Sequence, residues 1–425
     1  MHMSVALLWL RNDLRLHDHE ALHQAVRRAP AIVPVYCFDE RLFEETPYGF
    51  QRCGALRLRF LIESVQQLQK SFAEKGVKMH VCVGKPELQL AQLAQQTGAK
   101  WLYYHREAAT EELADEQAVE AALLKLGLEC HSCWGSTLFH PDDLPFPISR
   151  LPEVFTEFRK KTERESEVRE SRAVPRQMKG LPDLPADVWP PMPAQSADER
   201  AVYPFKGGEA AGLARLQAYF WEGNHLQQYK ETRNGLLGAD YSSKFSPWLA
   251  LGCLSPRFIY EEVKRYEKQR VANDSTYWLI FELLWRDYFR FVAFKHGKKL
   301  FLKGGIRQYT EGHAHKPKAL QLWREGKTGQ PFIDANMREL AATGFMSNRG
   351  RQNVASYLVH HLKSDWRAGA AWFEHCLLDY DPCSNYGNWN YLAGVGNDPR
   401  ENRVFNPQKQ AEQYDPSGSY RRFWL

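Results

Sequence analysis

The first ~135 residues alternate between two kinds of segment, and few folds accept that alternation. Apolar runs rich in β-branched and aromatic residues lie at VALLWL (5–10), AIVPVYCF (31–38), MHVCV (79–83), WLYY (101–104) and LECHSC (128–133). Helix-like stretches at about 19–28, 54–74, 87–97 and 111–126 separate them. Strands apolar on both faces, alternating with amphipathic helices, predict a five-stranded parallel sheet with helices on either side. This α/β domain spans 1–135. No Gly-x-Gly-x-x-Gly follows the first strand, so the sheet is not an ordinary dinucleotide binder.

The pattern then changes. Residues 136–205 carry the proline-rich HPDDLPFP, AVPRQMKGLPDLP and VWPPMPAQ, which read as a long crossing linker with a short helix near 152–162. From 206 to 425 helical periodicity dominates. Ser246-Pro247 and Ser255-Pro256 each read as an N-cap followed by a first-turn proline. Helices are expected at about 247–252, 256–269, 275–296, 334–343, 347–363 and 367–379. The fold is therefore an α/β domain, a linker and a larger all-helical domain, in keeping with 425 residues, more than one core usually serves.

A net charge of +5 permits a polyanionic partner without demanding one. Aromatics reach 13%, with 13 Trp, which suits a large aromatic core or stacking on something flat. No signal peptide opens the chain and no apolar run of about 18 residues could span a bilayer, so a reduced, cytoplasmic setting is expected. Cys130-His131-Ser132-Cys133 lacks a second ligand pair, and no metal site is expected. Neither a Ser–His–Asp nor a Cys–His signature is present, which leaves hydrolytic nucleophile chemistry unsupported. GKTG (326–329) fails as a phosphate loop, because position 321, where the pattern needs glycine, is Gln.

Four stretches of the helical half carry chemistry. SSKFSPWLALG (242–252) sets three hydroxyls and Lys244 before a helix start, which suits a phosphate or plain capping. FELLWRDYFRF (281–291) places Glu282, Trp285 and Arg286 on one helical face, fit for a flat polar ring or for a surface pair beside a core Trp. GFMSNRGRQNVASYLVHHL (344–362) brings Asn348, Arg349, Arg351 and Gln352 to a helix start. DYDPCSNYGNWNYLAG (379–394) joins two acids, two amides and two aromatics in a mixture that no helix or strand pattern demands.

Taken in order, LWLRNDLRLHDHEAL, SSKFSPWLALGCLSP, ELLWRDYFRF, DANMRELAATGFMSNRGRQNVASYL and DYDPCSNYGNWNYLAGVGNDPRENRVFNPQKQAEQYDP resemble the photolyase/cryptochrome family, and within it the cryptochrome DASH branch. The resemblance covers nearly the whole chain. It implies a U-shaped FAD held by Tyr229, Ser242, Ser243, Lys244, Phe245, Ser246, Arg351, Asp379, Asp381 and Asn385. Arg351 can pair with Asp379, and Asn385 corresponds to the amide facing flavin N5. Trp389 and Trp366 match the inner and middle electron-transfer tryptophans, while His313 stands where the outer one belongs; Tyr309 or Trp323 are candidate replacements. Glu282, Trp285, Asn348, Asn385 and Tyr391 match the catalytic lesion pocket, and Arg233, Arg286, Arg349 and Gln410 match DNA contacts.

Duplex-repairing members carry Trp where this chain has Tyr391 and an apolar residue where it has Gln352. Extruding a lesion from duplex costs a few kcal/mol, and less from single strands, as is recognised for base-flipping enzymes, photolyases among them. The resemblance thus implies light-driven splitting of cyclobutane pyrimidine dimers in single-stranded or looped DNA. Reduced FAD lends an electron and recovers it. A folate antenna, 5,10-methenyltetrahydrofolate, is implied in the α/β domain beside Glu112 or its neighbour Glu111. A monomer is expected. The rival readings are a blue-light signalling receptor, a cofactor-free nucleic-acid-binding module and a flavin oxidoreductase; the chain stops at SYRRFWL, which leaves no room for a receptor's long tail.

Overall fold

The computed structural model describes residues 4–310, 312–397 and 404–425. The part of the last motif at 398–403 lies outside them. Strands β1 (Val5–Leu10), β2 (Ala31–Phe38), β3 (His80–Val83), β4 (Ala99–His105) and β5 (Glu129–Cys133) form one parallel sheet in the order β3-β2-β1-β4-β5. Every residue of β1 and β2 is buried, as expected of strands covered on both faces. Pro34 sits inside β2 without harm, because β3 pairs only from Val35 onward and the missing N–H falls before that ladder. Helices α1 (Glu20–Arg28), α2 (Ala55–Glu74), α3 (Pro86–Thr97) and α4 (Thr110–Leu124) alternate with the strands.

The proline-rich stretch is not a free tether. It carries α5 (Phe155–Glu165), and its later part lies back along the sheet through an Ile32–Gly180 bridge and a Val188 N–H bond of 2.9 Å to the Val81 carbonyl. Beyond it follow α6 (Glu209–Gln217), α7 (Tyr229–Thr232), α8 (Ser246–Ala250), α9 (Pro256–Gln269), α10 (Asp274–His296), α11 (Pro317–Arg324) and α12 (Pro331–Thr343). Then come α13 (Asn348–Ser356), α14 (Trp366–Cys376), α15 (Pro382–Leu392), α16 (Pro407–Tyr414) and α17 (Ser419–Trp424).

Two expectations are corrected here. The 379–394 stretch does contain a helix, α15: Pro382 opens it and Asp381 caps it, accepting from the Ser384 N–H at 2.7 Å. Ser246 is the first helical residue of α8 and not its cap; the cap is Phe245, with no side-chain bond. Ser255 does cap α9, its hydroxyl accepting from the N–H groups of Arg257 and Phe258.

The segment between β1 and α1, residues 11–19, fastens the helical half to the sheet. The Leu14 N–H bonds the Leu251 carbonyl at 3.1 Å. Buried Arg15 spreads its guanidinium over the carbonyls of His17, Asp18, Gly135 and Gly252. His17 and the Leu16 N–H meet Glu209. Asp18, fully buried, takes a two-pronged bond from Arg257 at 2.5 and 3.0 Å, and one from Ser255. Gly252, at φ +64°, must be glycine: a Cβ there would lie 2.0 Å from the Asn12 carbonyl oxygen.

Burial pushes the Asp18 carboxyl up, but Arg15 and Arg257 outweigh it and hold it below the usual carboxylate range. Its stabilisation is therefore present above the ordinary Asp pKa and lost as the pH falls through the lowered value. Asp18→Asn is expected to remove about 3 kcal/mol from urea-unfolding stability at neutral pH, because Arg257 keeps a buried charge with no counter-charge. The variant's stability should also fall less than the parent's on acidification below about pH 4.

Candidate functional site

Asp381 and Asp379 organise the centre of the helical half. While Asp381 caps α15, its other oxygen pairs at 2.6 Å with Arg290 of α10, and both side chains are buried. Burial raises the Asp381 carboxyl, but Arg290 and Arg286 hold it below the ordinary range. Asp379 pairs with Arg351 of α13 at 2.8 Å, and the Arg351 Nε–H bonds the Met346 carbonyl at 2.9 Å. The other Asp379 oxygen is buried with no protein partner.

Two adjoining cavities share Asn348, Arg351, Asp379 and Asp381. The first is lined also by Tyr229, Arg233, Tyr241, residues 242–246, Glu282 and Arg286, and the second by Gln352, Ser384, Asn385, Asn388 and Trp389. The 242–246 loop is pinned from below by Arg215, which bonds the Ser242 and Ser243 carbonyls at 3.1 and 3.0 Å and the Asp240 carboxylate at 2.8 Å. Lys244, left-handed at φ +57° and buried, holds its ammonium 3.2 Å from the Tyr241 ring centre. Burial, with Arg215 nearby, pushes its pKa down to about 6, and burial lifts Glu339 close by to about 8. Such an ammonium wants an anion.

Asn385 is buried, and its amide N–H donates to the Ala370 carbonyl at 3.0 Å, which leaves its oxygen for the cavity. Trp389 and Trp366 are 1% and 5% exposed. At the cavity mouth Glu282 pairs with Arg233, so a residue assigned to the lesion and one assigned to DNA touch each other. Burial raises the Glu282 carboxyl against the pull of Arg233. Trp285 stacks on Phe155 of α5 at 3.7 Å and meets the Tyr391 ring edge-on at 6.2 Å. Asn348 is exposed. Arg349 bonds Gln352 and Asn234 and covers the Tyr414 ring, and Gln410 accepts from Asn353. Arg286 points inward: its fork bonds the Ser136 and Leu249 carbonyls, and burial beside Arg290 pushes its pKa down to about 10.

Arg215, Tyr241, Arg290 and Glu339 were not singled out from sequence. An arginine inside the otherwise apolar GLARL of α6, and one between Phe289 and Phe291 of α10, were the available signals.

A separate cavity lies at the carboxyl ends of the strands, where Arg11 and Asn12 follow β1, Asp39 and Arg41 follow β2, and Glu111, Glu112 and Asp115 belong to α4. Burial and Glu107 push the Glu112 carboxyl up to about 8. Cys130 and Cys133, three apart on β5, point to opposite faces and cannot share an ion. Among the described residues, buried Asp13, His19 and His105 bring three ligand-type atoms within 4.8 Å of one another. They tie the 11–19 segment to β4.

Residues 278–425 match the model of the FAD binding domain of DNA photolyase, and residues 6–179 match the DNA photolyase model. The cryptochrome DASH of Synechocystis sp. is 56% identical over 424 residues, 99% of this chain and 87% of the relative. A Synechocystis cryptochrome crystal structure superposes at a TM-score of 0.98, with 56% identity, over 100% of this chain and 89% of that one. An archaeal photolyase from Sulfolobus tokodaii, solved with two FAD molecules, follows at a TM-score of 0.79 and 25% identity, over 99% of this chain and 90% of that one. With an α/β sheet, a helical FAD-binding half and these likenesses along its whole length, the chain belongs to the photolyase/cryptochrome family, and curated relatives more than half identical to it over nearly its whole length are cryptochromes DASH.

Proposed function

We propose that the protein uses light to split cyclobutane pyrimidine dimers in single-stranded or looped DNA, with reduced FAD as the electron donor. The observation that carries this reading is the open mouth of the cavity. Glu282 and Asn348 line it and are at least partly accessible, while Asp379, Asp381 and Asn385 line it from buried positions; Trp285, one turn along α10 from Glu282, is partly accessible and meets Tyr391 edge-on.

The donor set fits FAD. Lys244 and the serines at 242, 243 and 246 suit its phosphates, the free Asp379 oxygen suits a donor on the cofactor, and Asn385 suits a ring that changes redox state. Bound FAD supplies the light absorption and the transferable electron. The chain's own residues do the rest. Arg351 and Arg290 hold the two acids in place, Glu282 offers a hydrogen-bonding group to a pyrimidine edge, and Trp285 and Tyr391 present ring surfaces to the bases. Arg233 and Arg349 serve the DNA backbone and Gln410 adds a polar contact. Arg286, turned inward, serves the cavity in this reading. Gln352 in the cavity wall and Tyr391 beside Trp285 make this surface more polar than a filled aromatic slot, which favours lesions that need no extrusion from a duplex. The cavity with Glu112 and four nearby arginines (Arg11, Arg41, Arg52 and Arg57) takes the antenna, a methenyl-folate by this reading. The Sulfolobus tokodaii protein's two FAD molecules make a second flavin the alternative to look for in the released chromophores.

The decisive assay illuminates purified, reduced protein with dimer-bearing single-stranded and duplex DNA. Repair of the single strand is expected to be roughly tenfold faster or more, equivalent to about 1.4 kcal/mol of extrusion cost. Equal rates refute the polar-mouth argument, and no repair of either substrate favours a photoreceptor. Asn385→Asp is expected to change the absorption spectrum that develops under light; an identical spectrum removes the role given to that amide. Lys244, at about pKa 6 without cofactor, is mostly neutral at pH 8, so binding of a phosphate anion there should take up about one proton. FAD affinity is then expected to fall as the pH rises above 6, and titration calorimetry at pH 8 in buffers of different ionisation heat should show the uptake, with Lys244→Met abolishing it.

A further inference from the structure

Trp389 and Trp366 are both buried, and electrons drawn through them need a donor that reaches solvent. The Trp389 ring lies against α14 at Gly369, where a Cβ would sit 2.3 Å from its Cη2. Gly369 is one helical turn from Trp366, so the two indoles share a face of α14. The Trp366 Nε1–H donates to the Lys303 carbonyl at 3.0 Å, which is no base, so an oxidised Trp366 has nowhere to discharge its proton.

His313 is exposed, but an imidazole gives up an electron far less readily than an indole or a phenol. Trp323 touches Trp389, with centroids 6.3 Å apart, yet it is 0% exposed and its N–H is spent on the Val354 carbonyl: a dead end. Tyr309, 52% exposed, packs with Arg307 instead. The ring that does meet Trp366 is Tyr386, edge-to-face at 6.0 Å and 76°. Tyr386 is half-buried, and burial, with Glu374 and Glu111 in reach, raises its phenol pKa. Arg52 bridges those two carboxylates at 3.1 and 2.6 Å, and the Glu111 side chain is 69% exposed.

We propose that Tyr386 is the terminal electron donor of a Trp389–Trp366–Tyr386 chain, taking the place of an outer tryptophan. This rests on the flavin reading above. One electron leaves the Tyr386 phenol for the oxidised Trp366, and its O–H proton leaves for water at the Arg52–Glu111 rim. The electron passes through Trp389 to oxidised flavin, and an added thiol returns a hydrogen atom to the phenoxyl oxygen, being oxidised itself.

The test is electron paramagnetic resonance on flavin-loaded protein freeze-trapped during illumination, with ring-deuterated tyrosine incorporated. The parent is expected to give a phenoxyl signal narrowed by the deuterium. Tyr386→Phe should lose that signal, and flavin photoreduction with thiol should slow several-fold. Adding His313→Trp to Tyr386→Phe should restore the rate through an indole signal. A tryptophanyl signal in the parent, or a phenoxyl signal that survives in Tyr386→Phe, overturns the proposal. Protein that carries no flavin absorbance at all would overturn the preceding reading instead, so the two failures are distinct.

Discussion

The ion pair between Asp381 and Arg290 is the interaction on which the site depends. It crosses from the cap of α15 to α10, joining the helix that carries Asn385 and Trp389 to the one that carries Glu282 and Arg286. Asp381 has two tasks with its two oxygens, capping α15 and neutralising Arg290. A buried pair of this kind adds little net stability compared with apolar packing, but losing one member is costly, so it locks a geometry. The geometry locked here sets Asn385 and Trp389 against α14, and Tyr391 against Trp285.

A second constraint joins the two halves. The 11–19 segment is saturated with buried bonds to residues 135 and 209 and to the loop and helix at 251–257. It leaves the sheet at the carboxyl end of β1, where Arg11 and Asn12 also line the cavity that holds Glu112. The same short stretch therefore lines that cavity and clamps the helical half beside it.

Much of this was legible from local pattern. The five strands and the four helices among them follow from runs apolar on both faces and from amphipathic spacing, and the structure moves their ends by only a residue or two. The Arg351–Asp379 pair came with the family resemblance, since charge alone does not choose between Asp379 and Asp381. Helix α15 was not legible: Asn, Gly, Ser and Trp are modest helix formers, and what makes the segment helical is its Asp381 cap and its packing on α10 and α14. Arg286 sits three residues from Trp285's ring partner Phe289 and looks like a surface charge in sequence, yet it turns inward because the Ser136 and Leu249 carbonyls accept its fork and Asp381 attracts its charge there. Arg215 escaped notice because its partners are mainly backbone carbonyls, and carbonyls leave no trace in a sequence.

What the amino-acid order determined alone was the alternation of strands and helices, the place where it stops, and the set of chemical groups available: acids beside amides, serines beside a lysine, aromatics at helical spacing. Those are properties of neighbours along the chain, set by backbone preference and the period of apolar residues. Only the tertiary structure decided which charges met each other and which met water. It buried Lys244 over an aromatic ring, aimed Arg286 inward, and set Tyr386 rather than Tyr309 or Trp323 edge-on against Trp366. Desolvation and ring contact depend on residues far apart in the chain, and so they appear only once the helices have packed.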